Sequence, residues 1–256
     1  MSNLPVTDID VAEHRRPANR PPKLAEVVAR EIVADIAAGG WHPGETLPPE
    51  SAMLARFRVG RASLREALRI LEIQGIVRLK PGPRGGPVVA AEAVQDFARM
   101  ATLHFQMRGV AYQELIDARL MLEPMMARLA AERGDERASQ LLTEHLAFEG
   151  SLDDDDDRLF DVWADFHELL GALCGNGVMS LFAAALQEIY RERALYREWP
   201  DSARTVAPRT HAEHKAIAKA IIAGKPALAE RLTHQHMEQF QADRPPGIAN
   251  EVITWT

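Results

Sequence analysis

Arg61, Ser63, Arg65 and Arg69 are the side chains of this sequence best spaced for chemistry on a polyanion. Guanidinium groups and a hydroxyl donate hydrogen bonds to phosphate oxygens and to the acceptor atoms of base edges. The four lie on one side of an eleven-residue stretch, RASLREALRIL, Arg61–Leu71. The other side carries Leu64, Ala67, Leu68 and Leu71, at the i, i+3, i+4, i+7 spacing of a buried helix face. A helix docked by such a stripe, with donors crowded near its start, has what reading a major groove requires.

Positioning that helix takes further elements. A helix is expected over Lys23–Ala38, with Leu24, Val27, Val28, Ile32 and Ile36 as its apolar stripe and Gly39–Gly40 as its stop. Pro48–Pro49 forces an extended approach to a second helix, Glu50–Phe57, which buries Met53, Leu54 and Phe57. Arg58–Gly60 is a turn, and the third helix runs Arg61–Gln74 to Gly75. Ile76–Lys80 alternates as a strand does, PGPRGGP is a loop, and Val88–Val89 is a second short strand. Two helices, a tight turn and a hairpin with Lys80 on a strand and Arg84 at the tip make a winged helix-turn-helix. A guanidinium there suits the narrow, acceptor-lined minor groove.

The charge distribution agrees. The chain as a whole carries −7, yet residues 21–91 hold ten Lys and Arg against seven Asp and Glu, which leaves −10 for the remainder. A locally basic module on an acidic body is the footprint of a nucleic-acid-binding domain joined to something else. With 46% hydrophobic and 26% charged residues the composition is that of an ordinary water-soluble protein. The start of the chain lacks the apolar core of an export signal, and no run approaches the ~20 apolar residues of a membrane span. Cys174 has no second cysteine to pair with, which fits a reducing, cytoplasmic location.

Beyond Ala91 strand signals cease. Helical patterns run over 93–108, 112–132, 135–150, 157–174, 178–198, 203–223 and 226–242, so an all-α bundle of about seven helices is expected over 92–243. Residues 1–20 read as a flexible tail, 21–91 as the winged domain, and 244–256 as a C-terminal tail without helical period. The run Asp153–Asp157 reads as a solvated loop leading into a helix N-terminus.

LPPE, ten further residues, then RASLREALRILEIQGIVRLKPGPRGG closely resembles the winged helix-turn-helix of the GntR family of bacterial transcription regulators. Two positions depart from the family pattern. Gly60 stands where a Ser or Thr usually precedes the recognition arginine, and Ser51 stands where an arginine commonly follows PPE. One contact with DNA is thereby lost.

The second half resembles the FadR branch of that family, whose effector domain is all-helical (the FCD type). The likeness rests on ARLMLEPMMARLAA with Arg119 and Glu123, on DFHELLGALCGN, on EHKAIAKAIIAGKP, and on His236, twenty-two residues after His214. In many members a divalent metal is held by an aspartate, a histidine four residues later and two further histidines. By position the histidines are His167, His214 and His236, able to take zinc or nickel, and the aspartate position is Trp163. Asp161 and Asp165 lie off that helix face.

Three arrangements are open: a three-histidine metal site completed by water or effector, a metal-free pocket in which the histidines hydrogen-bond an acid, or core histidines without a ligand. His211, one turn from His214, could join the site, and His234 should point away from His236. Arg119 could grip an effector carboxylate bidentately, or it could pair with Glu123 at i+4. If buried, it needs an acidic partner, for which a ligand is the natural choice.

The resemblance implies a non-enzymatic, ligand-responsive repressor. It would bind a palindromic double-stranded operator as a homodimer through Arg61, Ser63, Arg65, Arg69, Lys80 and Arg84. A small organic acid or acyl effector would be sensed at Arg119, Glu123, His167, His214 and His236, away from any membrane. The alternatives are a constitutive DNA-binding protein with a vestigial pocket and a three-histidine hydrolase or lyase. The latter is disfavoured because no general base or nucleophile is spaced beside the histidines.

Overall fold

The structure is a computed structural model that describes residues 23–82, 85–90, 94–154, 156, 158–192, 200–243 and 250–254, the side chains of 192 and 200–204 excepted. The chain forms two compact units, Met1–Glu92 and Ala93–Thr256.

The first unit holds α1 (Leu24–Gly39), α2 (Glu50–Phe57), α3 (Arg61–Ile73), β1 (Val77–Lys80) and β2 (Gly86–Val89). The stripe of α3 is buried as its spacing requires: Leu64, Ala67, Leu68 and Leu71 pack with Met53 of α2 and with Val28 and Ile32 of α1. The stripe of α1 is rotated from the expected one. Ala25, Val28, Ala29 and Ile32 face the core, while Leu24 is 56% exposed. Alanines at the contact let α1 approach α3 closely, and leucine in the first turn is left at the edge. Met53 is buried in α2, whereas Leu54 and Phe57 are only partly covered.

The turn between α2 and α3 is closed by Arg58 at φ 53°, the one non-glycine residue with positive φ among those described. β1 and β2 pair antiparallel, with Val77 opposite Val89 and Lys80 opposite Gly86. Thr46 adds a bridge to Val88, so the wing is tied to the segment that leads into α2.

The second unit contains α4 (Val94–Arg108), α5 (Tyr112–Arg133), α6 (Glu136–Glu149), α7 (Leu159–Leu173), α8 (Gly177–Glu192), α9 (Pro200–Ile222) and α10 (Pro226–Asp243). Its main core joins Ala127 and Ala130 of α5 to Leu142, Phe166, Leu170, Ile217 and Ile221. The small residues of α5 let the long helix run through the middle of the bundle with α7, α9 and α10 packed around it.

The segment Glu251–Thr254, which lacks helical periodicity, is no free tail. Tyr112 donates its N–H to the Glu251 carbonyl and Ile253 donates to Val110, each at 2.9 Å. Ile253 is fully buried among Tyr112, Ile116, Tyr190 and Phe240. Among the described residues no helix is long and apolar enough to cross a membrane.

Candidate functional site

On the first unit, α3 presents its polar side to solvent. Arg61, Arg65 and Arg69 are exposed, Ser63 is half-buried, and Lys80 is exposed on β1. Arg61 and Arg65 each lie 3.8 Å from a Glu50 oxygen, loose contacts that hold neither guanidinium in place. Gly60 is the N-cap of α3 and offers no side chain to its first N–H groups. Those N–H groups remain available to an anion, though no hydroxyl stands beside them. Arg84 lies outside the described residues.

Within the helical unit, α7, α9 and α10 bring His167, His214 and His236 together, all three buried. His236 Nε2 lies 3.3 Å from His214 Nε2 and 3.4 Å from His167 Nε2. The ligating atoms of all three lie within 4.8 Å of one another. Behind each ring stands a carboxylate. His167 Nδ1 is 2.5 Å from Glu123 Oε2, His214 Nδ1 is 3.0 Å from Glu149 Oε1, and His236 Nδ1 is 2.7 Å from Glu213 Oε2.

An ionised carboxylate accepts, which favours the tautomer with the ring proton on Nδ1 and a lone pair on Nε2. Lone pairs facing one another at this range repel. A divalent cation between them turns the repulsion into coordination. For metal–nitrogen bonds of about 2.0–2.1 Å the edge of a tetrahedron is about 3.3–3.4 Å, the spacing of His236 to each of the other two histidines, and the third edge lies within 4.8 Å. The donor set therefore fits zinc or a similar ion, with one position left open.

Burial pushes His167 and His214 below the ordinary histidine value, His214 furthest, which keeps their lone pairs free near neutral pH. Phe166 stacks on the His214 ring with centroids 4.0 Å apart and fixes its plane.

Glu123 also receives Arg119 Nε at 2.6 Å. Both residues are buried. Burial alone would raise the Glu123 carboxyl, but Arg119 and His167 outweigh it and hold it at about 2. The buried Arg119 thus has an acidic partner within the chain, Glu123, the i+4 pairing that the sequence allowed. Glu123, expected to touch effector, spends both oxygens on Arg119 and His167. Arg119 still reaches the cavity beside the histidines, its guanidinium 5.2 Å from the Tyr190 ring and 5.7 Å from that of Phe240.

The histidines line that cavity, of about 30 Å³, together with Trp163, Arg209 and Thr210. Trp163 brings no donor atom to the metal position. Asp161 and Asp165 are turned to Arg191 of α8, away from the histidines. His211 does not join the centre. It lies behind His214, 3.6 Å from Glu149, which His145 approaches to 3.8 Å from within α6. His234 is exposed beside Glu238 and points away from His236, as its spacing indicates.

Sequence reasoning missed Glu149 and Glu213. Glu213 precedes His214 directly, and a carboxylate next to a candidate ligand was the available signal. Glu149 sits 65 residues before its histidine and gave none.

A basic, winged helix-turn-helix joined to a helical bundle with a buried polar cavity defines a DNA-binding transcription regulator with an effector domain. Residues 24–85 match the gntR family of bacterial regulatory proteins, and residues 114–239 match the FCD domain. The HTH-type transcriptional repressor NanR of Klebsiella aerogenes is 30% identical over 232 residues, covering 89% of this chain and 87% of that protein. NanR of Citrobacter rodentium is 29% identical over 239 residues, covering 88% and 87%. A Streptococcus agalactiae GntR structure shares the fold at a TM-score of 0.66 and 21% identity, over 85% of this chain and 99% of that one. The chain belongs to the gntR family, as a DNA-binding regulator with an FCD effector domain and not an enzyme.

Proposed function

We propose that this regulator is a ligand-responsive repressor that binds a palindromic operator as a homodimer. A divalent ion at His167, His214 and His236 would be the centre of its effector site. The observation that carries the reading is the convergence of three Nε2 atoms, each with a carboxylate behind its Nδ1. An ion there supplies positive charge and an open position for an anionic oxygen. Arg119 flanks the same cavity, and its charge is the second attraction for a small organic acid.

On the DNA side, Arg61, Ser63, Arg65 and Arg69 reach base edges and phosphates from α3. Lys80 and Arg84 extend the contact along the wing. The repressor role comes from the NanR relatives, which carry that word in their names. The homodimer is supported by an apolar surface on the helical unit, where Phe97 and Met100 of α4 and Val178, Leu181 and Phe182 of α8 are exposed. Phe97 and Phe182 meet edge-on at 5.7 Å, so the two helices present one continuous apolar patch. A patch of this kind on a soluble domain marks an interface, and a twofold partner offers the same patch in return.

The deciding experiment analyses protein purified without added metal, by elemental analysis and ligand mass spectrometry on one sample. Operator binding is then measured before and after stripping. About one zinc or nickel per chain, and weaker operator binding on addition of the co-purifying acid, is the expected result. A metal-free protein whose operator affinity responds to no acid would overturn it.

A further inference from the structure

Where the resemblance calls for a metal-binding aspartate, this chain places the largest side chain available. Trp163 lies one helical turn before His167 on α7, and its indole lines the same cavity. It is only 8% exposed and is held on several sides. Leu159 and Ala207 pack against it, Val206 and Leu152 flank them, and Phe160 meets it edge-on at 5.1 Å. A side chain clamped in this way is a fixed wall.

The space that remains is small. The cavity beside the histidines measures about 30 Å³, enough for a few small groups. The charge requirement is equally narrow. Three neutral imidazoles leave a bound cation's charge undiminished, and Trp163 supplies no anion to offset it. Glu123, Glu149 and Glu213 are committed to the Nδ1 atoms behind the rings. A carboxylate ligand would supply at the open position the negative charge that Trp163 does not.

We propose that Trp163 sets the size of the effector, restricting the site to a compact carboxylate with a short substituent and excluding extended acyl chains. This rests on the cavity being the effector site, as inferred above. The carboxylate takes the position beside the three histidines that an aspartate at 163 would fill, and the indole closes the space into which a longer chain would extend. Trp163 is then a specificity residue, and the acyl compounds that the resemblance allowed are ruled out as ligands of the wild-type chain.

The test uses full-length, zinc-loaded protein and calorimetric titration with sodium acetate, propionate, hexanoate and octanoate. Wild type is expected to bind acetate at least about tenfold more tightly than hexanoate, the order of discrimination that steric exclusion of a few methylenes gives. Trp163→Ala is expected to reduce or invert that ratio by a similar factor, and Trp163→Leu serves the same purpose if the alanine variant does not fold. Equal affinity of wild type for acetate and hexanoate would overturn the inference. So would a preference unchanged in the folded variants, or no binding of any of the four acids. Acetate binding with the expected ratio but no effect on operator affinity would support the size rule and count against the ligand-responsive reading instead.

Discussion

His214 Nε2 faces His236 Nε2 at 3.3 Å, with Glu149 and Glu213 at the Nδ1 atoms on the far sides of the two rings. Ionised, these carboxylates draw the ring protons to Nδ1 and would leave both Nε2 lone pairs to a cation. Partners of this kind fix tautomer and ring orientation and raise the basicity of the ligating nitrogen. Glu213→Gln keeps an acceptor for His236 but removes the charge. Its affinity for zinc should fall by about 10–100-fold, read by competition with a chromophoric chelator. An unchanged affinity would mean that Glu213 is a bystander.

The metal-free fold should respond to pH in a way that isolates Glu149. Burial lifts this carboxyl from the ordinary 4.5 to about 7, and the Trp163 indole beside it offsets only part of the rise. The folded state therefore binds the proton more tightly than the unfolded chain. Its contribution is full below about pH 4.5 and is lost as pH rises through about 7. His167 and His214 act in the opposite direction: their pKa values are depressed, so folding disfavours their protonation and stability falls as pH drops below 6.5. In chelator, Glu149→Gln should raise Tm relative to wild type at pH 8 and lose that advantage at pH 5. A difference in Tm that is the same at both values would contradict the assignment.

Arg61 and Lys80 should separate specificity from affinity. Arg61 stands at the start of α3 with an exposed guanidinium 3.8 Å from a Glu50 oxygen, while Lys80 is exposed on the wing strand. Arg61→Ala should cost about 1–3 kcal/mol of discrimination between operator and scrambled DNA. Lys80→Ala should weaken both duplexes alike and flatten the salt dependence by about one unit of slope. Fluorescence anisotropy at several salt concentrations checks both. Normal operator selection by Arg61→Ala would remove it from the reading set.

Phe182 tests the dimer. A carboxylate in the middle of the α4–α8 patch would have to be desolvated for two copies to meet. Phe182→Asp should sediment as a monomer at concentrations where wild type is a dimer, with helical content unchanged by circular dichroism. A dimeric Phe182→Asp protein would move the interface elsewhere.

What the sequence made legible follows from the range of the interactions. The stripe Leu64, Ala67, Leu68 and Leu71 is local and periodic, and it is buried as spaced. The Arg119–Glu123 contact is a helix i,i+4 pair and was foreseen, although its burial was not. On α1 the stripe was misread because size decided the contact face: Ala25 and Ala29 are buried where Leu24 was expected to be. The histidines could be picked out by residue type and by resemblance. Their carboxylates could not all be, since Glu149 meets His214 across 65 residues without any periodic signal. His211 shows the same limit. One turn from His214, it nonetheless faces Glu149 instead of the metal position, because a turn of helix displaces a side chain along the axis as well as around it.

The three clustered histidines sit on α7, α9 and α10, and the outer two are 69 residues apart in the chain. An ion bound among them ties distant parts of the effector domain together and, binding only the folded form, stabilises it in proportion to the logarithm of free ion concentration. Scarcity of the ion then increases the fraction of chains open to proteases. The cell's metal supply would govern how many copies of the regulator persist, independently of how well each copy holds its operator.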